Sequence, residues 1–285
     1  MSPPKSADLG AGTVLYEERG EGNPIVFVHG VFVNGAVWRK VVDELADNYR
    51  CIVPDWLLGS HSLAMRDGAD LSTPGLARIV SDFLEHLDLQ DVTLVGNDTG
   101  GAVCQLVMVD HPDRIGRVVL TSCDAFEVYP PRPFSFLRII PAVPGLAFLL
   151  AQSLRFGFIR QLPIAYGWVM KDLPPGEVLN SYTRPLLDRS IRRDAKKMLS
   201  GISKDHTLRA AQLLGDFDRP VLLAWAEEDK LFPISLAERL GKVLPNARLQ
   251  VIPGARTFIS EDRPEELAAA IAELCDATWG EGAHH

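Results

Sequence analysis

The chain has 285 residues, 47% hydrophobic and 23% charged, the mix of a folded globular enzyme of one large α/β domain with an insertion, not of a disordered chain. A net charge of −8 without a basic stripe argues against a nucleic-acid partner. The four cysteines lie far apart without metal-ligand spacing, and Cys51, Cys104 and Cys123 fall on core-like segments, so reduced thiols in the cytoplasm are expected, and neither a metal nor another cofactor.

Met1 to Ser6 carries no apolar signal segment. Thr13–Arg19 predicts an edge strand ended by Gly20-Glu21-Gly22-Asn23-Pro24. Ile25–Val28 predicts a buried strand that runs into His29-Gly30. Ala36–Leu45 reads as a helix and Cys51–Asp55 as the next strand, followed by the exit loop Trp56–Ser62. His29 reads as an orienting loop residue and His61 as a turn histidine, each in preference to a catalytic base. Ser72 or Thr73 caps a helix that runs to about Leu87, with Pro74 pre-set for its first turn.

Val92–Val95 predicts a buried strand, and from Ala102 the apolar residues Val103, Leu106 and Val107 take helical spacing as far as His111. Between them stands Gly96-Asn97-Asp98-Thr99-Gly100. A strand that turns into a helix this quickly strains the corner residue and tolerates only small neighbours, which accounts for Gly96 and Gly100. The corner side chain, Asp98, is pushed out above the sheet near a helix N-terminus. An ordinary strand–turn–helix, a dinucleotide-binding turn and an aspartic-protease Asp-Thr-Gly compete for this stretch. The second lacks Gly-x-Gly-x-x-Gly, and the third lacks a second such Asp and an all-β setting.

Val118–Thr121 is another strand, ending in Ser122-Cys123-Asp124-Ala125. From Phe126 the pattern changes to a proline-rich crossing. Phe136 to Phe158 is strongly apolar but is cut by Arg138, Pro141, Pro144 and Arg155, so no stable membrane insertion is expected. Ala165–Met170, Val178–Leu187 and Arg192–Leu199 read as short helices. Pro220–Ala226 resumes the sheet, Leu249–Ile252 is its last strand, and Arg263-Pro264 opens a helix to about Thr278.

With Ser at the corner, Gly-x-Ser-x-Gly is the nucleophile elbow of hydrolases. The chain resembles an α/β-hydrolase, and its Asp corner is similar to the haloalkane dehalogenase and epoxide hydrolase branch. That resemblance implies a mostly parallel central sheet with helices on both faces and a helical cap. The core would span residues 1–125 and 216–285, and the cap 126–215. It further implies Asp98 as nucleophile and the backbone N–H groups of Val31 and Thr99 as oxyanion hole. Asp229, in Glu228-Asp229-Lys230-Leu231-Phe232-Pro233, would be the acid, with Asp124 as a second candidate. Tyr166 and Tyr182 are in range to be the cap's polar groups, and the cap's apolar residues imply a greasy pocket roof.

The resemblance implies a histidine after the last strand, in Pro-Gly-x-Gly-His-Phe. The chain reads Pro253-Gly254-Ala255-Arg256-Thr257-Phe258, so Thr257 stands in that slot. A threonine hydroxyl is no general base near neutral pH. Val31 and Thr99 also lack the side-chain N–H with which dehalogenases hold halide. Three functions remain open: an Asp98-centred hydrolase of small apolar molecules, a lyase, isomerase or cyclase using Asp98 for proton transfer, and a small-molecule binder. A homodimer stays open.

Overall fold

Short apolar runs alternating with amphipathic segments build one sheet covered by helices. The computed structural model describes residues 4–277. The strands are β1 (Lys5–Leu9), β2 (Gly12–Arg19), β3 (Pro24–Val28), β4 (Arg50–Pro54), β5 (Val92–Asp98), β6 (Ile115–Cys123), β7 (Val221–Ala226) and β8 (Ala247–Ile252). They lie in the order β1-β2-β4-β3-β5-β6-β7-β8. The β1–β2 and β2–β4 pairs are antiparallel and all others parallel. This is the expected mostly parallel sheet. Every residue of β5 and β7 is buried, as strands covered on both faces require.

The helices are α1 (Arg39–Leu45), α2 (Thr73–His86), α3 (Thr99–Asp110), α4 (Leu146–Ser153), α5 (Gly157–Arg160), α6 (Gly176–Thr183), α7 (Arg189–Ser200), α8 (Lys204–Leu213), α9 (Ile234–Val243), α10 (Ile259–Asp262) and α11 (Pro264–Asp276). Ser72 is the residue that caps α2, its Oγ accepting from the Gly75 N–H. α3 is buried from Thr99 to Met108 because it packs on the sheet, α2 and α8.

Four expectations change. β2 is not the edge, because β1 pairs with it through Leu9↔Gly12. β1 buries only Ala7 and Leu9, too few apolar positions for a sequence pattern to register. Ala36–Leu45 is a 3₁₀ turn, Gly35–Trp38, running into α1. Ala165–Met170 is not a helix: Pro163–Gly167 forms one wide turn with Ala165 at φ −114°, ψ −111°. Val178–Leu187 is broken by Pro185 into α6 and a short 3₁₀ turn. The expected end of the last helix, Thr278, lies outside the described residues. No helix among them is long and apolar enough to cross a membrane.

The segment between β6 and β7 lies over the carboxyl ends of the strands. The Tyr166 hydroxyl donates to the Phe32 carbonyl (2.8 Å), the Ser60 hydroxyl to the Tyr182 carbonyl (2.6 Å), and the Phe258 N–H to the Val169 carbonyl (2.9 Å). α8 returns to the core: besides packing on α3, its Thr207 hydroxyl donates to the Phe126 carbonyl.

Candidate active site

β4 lies on one side of β3 and β5 on the other, so the chain reverses its progress across the sheet there. Open α/β sheets bind ligands above the carboxyl ends at such a switch point. β5 ends on Asp98 and α3 starts at the next residue. Asp98 takes φ 53°, ψ −128°, a region that costs a non-glycine residue about 1–3 kcal/mol. Two glycines make room for the bend. A Cβ on Gly100 would overlap the Val28 carbonyl oxygen, and one on Gly30 would overlap Asp98 Oδ2.

Val28 pairs with Gly96, which sets the loop after β3 beside the elbow. The Val31 N–H donates to Asp98 Oδ2 at 3.1 Å, and the Thr99 N–H is near enough to favour the charged carboxylate. Both donors thus grip the oxygen-bearing group of Asp98 itself. An ester formed on Asp98 would place its carbonyl in that grip, where a tetrahedral oxyanion develops.

Asp98 forms the floor of a chamber of about 190 Å³ walled by Phe134, Phe136, Leu137, Tyr166, Leu199 and Phe258, among others. Engineered apolar cavities of ~150 Å³ already take up benzene. Burial pushes the Asp98 carboxyl up to about 7; the N–H groups of Thr99 and Val31 pull it back, and the Asp229 charge adds to the rise. Asp124 is fully buried beside it: its Oδ2 accepts from Thr99 Oγ1 (3.1 Å) and its Oδ1 has no partner. Burial first, then the Asp98 charge, holds Asp124 well above the usual carboxylate range.

Asp229 lies in the loop after β7. Its Oδ1 accepts from the Leu231 N–H (2.7 Å), the Phe232 N–H (2.8 Å) and Thr257 Oγ1 (3.1 Å), while its Oδ2 has no partner. Burial raises its carboxyl, and those donors oppose the rise. Thr257 is therefore bonded to the residue that the resemblance assigns to orienting a histidine. Among the described residues no histidine lines the chamber. His29 is buried: its Nδ1–H donates to the Gly30 carbonyl (2.9 Å) and its Nε2 accepts from the Trp56 N–H (2.9 Å). Those partners fix a neutral ring, and burial pulls its basicity down to about 4. His61 is also buried, with Nε2 3.5 Å from Asp194 of α7.

Tyr166 lines the chamber, but its hydroxyl proton is directed to the Phe32 carbonyl. Tyr182 does not line it. That side chain is buried behind Tyr166, with ring centroids 6.1 Å apart, and its hydroxyl donates to Glu261 (3.4 Å) beside the Arg39–Glu261 ion pair. Sequence reasoning passed over Asn97. Its side-chain amide donates to the carbonyls of Thr257 (2.8 Å), Thr121 (3.0 Å) and Ser122 (3.3 Å), clamping the Thr257 loop to the elbow. The available signal was a polar amide inside an otherwise apolar strand. Among the described residues no group of three His, Cys, Asp or Glu is placed to hold a metal ion.

Comparison with known proteins agrees with this fold. Residues 23–264 match the model of the alpha/beta hydrolase fold family. Haloalkane dehalogenase 2 of Mycobacterium tuberculosis (strain ATCC 25618 / H37Rv) is 29% identical over 277 residues, covering 93% of this chain and 92% of that one. A cis-3-alkyl-4-alkyloxetan-2-one decarboxylase of Xanthomonas campestris pv. campestris is 27% identical over 296 residues, 94% of each chain. The solved structure of epoxide hydrolase CorEH superposes with a TM-score of 0.79 at 17% identity, covering 95% of this chain and 98% of that one. The relatives support the resemblance to the dehalogenase and epoxide hydrolase branch, and the chain belongs to the α/β-hydrolase fold family.

Proposed function

We propose that this protein is an enzyme of the hydrolase type that acts on small, largely apolar molecules with Asp98 as nucleophile. The observation that carries this is the Asp98 carboxylate held by the Val31 N–H at the floor of an apolar chamber. An Asp98 oxygen would attack an electrophilic carbon. The new C–O bond makes an ester on Asp98, and the leaving group departs with its electron pair. Water would then add to the ester carbonyl, with the charge collected on the oxygen facing Val31 and Thr99.

The second step needs a base, worth ~10²–10⁴-fold, and Thr257 supplies none. The ester is therefore expected to persist. The relatives' names suggest the compounds to try: primary alkyl halides, epoxides and β-lactones. Intact-protein mass spectrometry should show an adduct that maps to the Asp98 peptide and is absent in Asp98→Asn, and its slow release in labelled water should leave the heavy oxygen in the Asp98 carboxylate. No adduct, and no label in Asp98 or in product, across the panel would sink this reading.

Asp98 held near pH 7 favours a second reading, proton transfer without covalent attachment. It predicts turnover that depends on Asp98 while no adduct is ever seen. The four buried free cysteines support a reducing, cytoplasmic setting for either chemistry.

A further inference from the structure

Helix α7 carries a row of cations. Arg189, Arg192, Arg193, Lys196 and Lys197 recur at intervals of three and four, one face of the helix. Ile191, Ala195, Met198 and Leu199 are buried on the other. All five cations line an open groove together with two carboxylates, Asp70 and Asp188. Those carboxylates are occupied locally, Asp70 by the Ser72 N–H and Asp188 by the N–H groups of Ser190 and Ile191. Arg193 is paired with Asp67 and Asp194, and Lys197 bonds the Asp67 carbonyl.

Arg192 and Lys196 differ from the rest. Both line the groove and also the inner chamber, so they stand between the two. Both are half-buried. The Arg192 guanidinium donates to the Leu186 carbonyl (2.8 Å) and lies 5.1 Å over the Phe148 ring, without an ion pair among the described residues. Lys196 has its carbonyl bonded by Ser200 Oγ, and its ammonium has no partner among the described residues. Residues 128–170, which form much of the roof, hold four arginines and no carboxylate in a chain whose net charge is −8. A cation drawn partly out of water is costly until a counter-charge meets it. Asp98 lines the same chamber and, when ionised, repels anions. The chamber wall therefore carries both signs of charge, two cations from α7 and the Asp98 carboxylate.

We propose that the chamber takes an anionic amphiphile, its apolar body towards Asp98 and a terminal carboxylate, sulfate or phosphate between Arg192 and Lys196. This deepens the Asp98 reading and rests on it for which end of the molecule reacts. The ligand class can be tested apart from the chemistry. Calorimetric titration of the whole protein with octanoate, octanol and octylammonium isolates the head group on a constant tail. Octanoate should bind about tenfold tighter than octanol, as for a charge-assisted contact, and the margin should shrink as salt rises. R192Q/K196Q should erase the margin while octanol affinity holds. If that pair unfolds by circular dichroism, K196Q alone should cut the margin about threefold. D98N should retain the octanoate preference, and a wild-type protein that shows the preference but forms neither adduct nor product would overturn the nucleophile reading and leave the ligand class standing. Equal binding of octanoate and octanol, strongest binding of octylammonium, binding of none of the three, or a preference untouched by the Arg192 and Lys196 variants would each overturn the proposal.

Discussion

The elbow after β5 and the loop after β8 meet through Asn97 and differ in what they offer. The elbow side has a strained corner, two glycines that admit close contact, and backbone donors aimed at a carboxylate. All of its parts match the pattern of the nucleophile elbow. The opposite loop has the same frame, tied to the elbow by Asn97, but it presents Thr257 to Asp229. The contrast teaches that the frame and the reactive group are separable. Backbone geometry places a side chain, and the side chain alone decides whether a proton can be taken there.

The largest effect that would sharpen this contrast is on the elbow side. Asp98→Asn should lower kcat/KM by at least ~10³-fold on any substrate the wild type turns over, because no nucleophile or proton acceptor remains; a variant that keeps a tenth of the activity would break it. On the other side, Thr257→His should speed hydrolysis of the Asp98 ester by ~10²-fold or more, read as the decay of the adduct mass, since Asp229 is already in place to orient an imidazole. Thr257 is fully buried, so the larger ring is expected to cost about 1–3 kcal/mol in stability. Gly30→Ala should cost ~10²-fold in adduct formation, because the new methyl displaces Asp98 Oδ2 from the Val31 N–H.

Smaller effects concern stability. Asp98 ionises near 7 when folded and near ~3.9 when unfolded. The folded chain therefore holds the extra proton between those values. Stability is full below about pH 4 and falls as pH rises towards about 7. D98N should flatten that fall and be more stable than wild type at pH 8 by chemical denaturation, with little difference at pH 4. Thr257→Val removes one hydrogen bond to a buried carboxylate and should cost about 1 kcal/mol, with adduct formation changed less than threefold. A large loss of adduct in that variant would show that Thr257 takes part in the chemistry.

The amino-acid sequence by itself determined the sheet, the elbow and the odd threonine. Continuous apolar runs, closely spaced glycines and an aspartate at a sharp corner are local patterns, and local patterns survive without coordinates. β1 escaped because a strand with two buried side chains owes its existence to its partner strand. Only the tertiary structure decided that Tyr166 and Tyr182 direct their hydroxyls away from the chamber, that His29 is locked neutral between Gly30 and Trp56, and that Asn97 clamps the Thr257 loop. It also decided that two cations of α7 line the chamber. Those facts depend on which strand ends and helix faces meet. A hydrogen bond between residues 160 apart in sequence leaves no mark on the chain until the sheet brings its ends together.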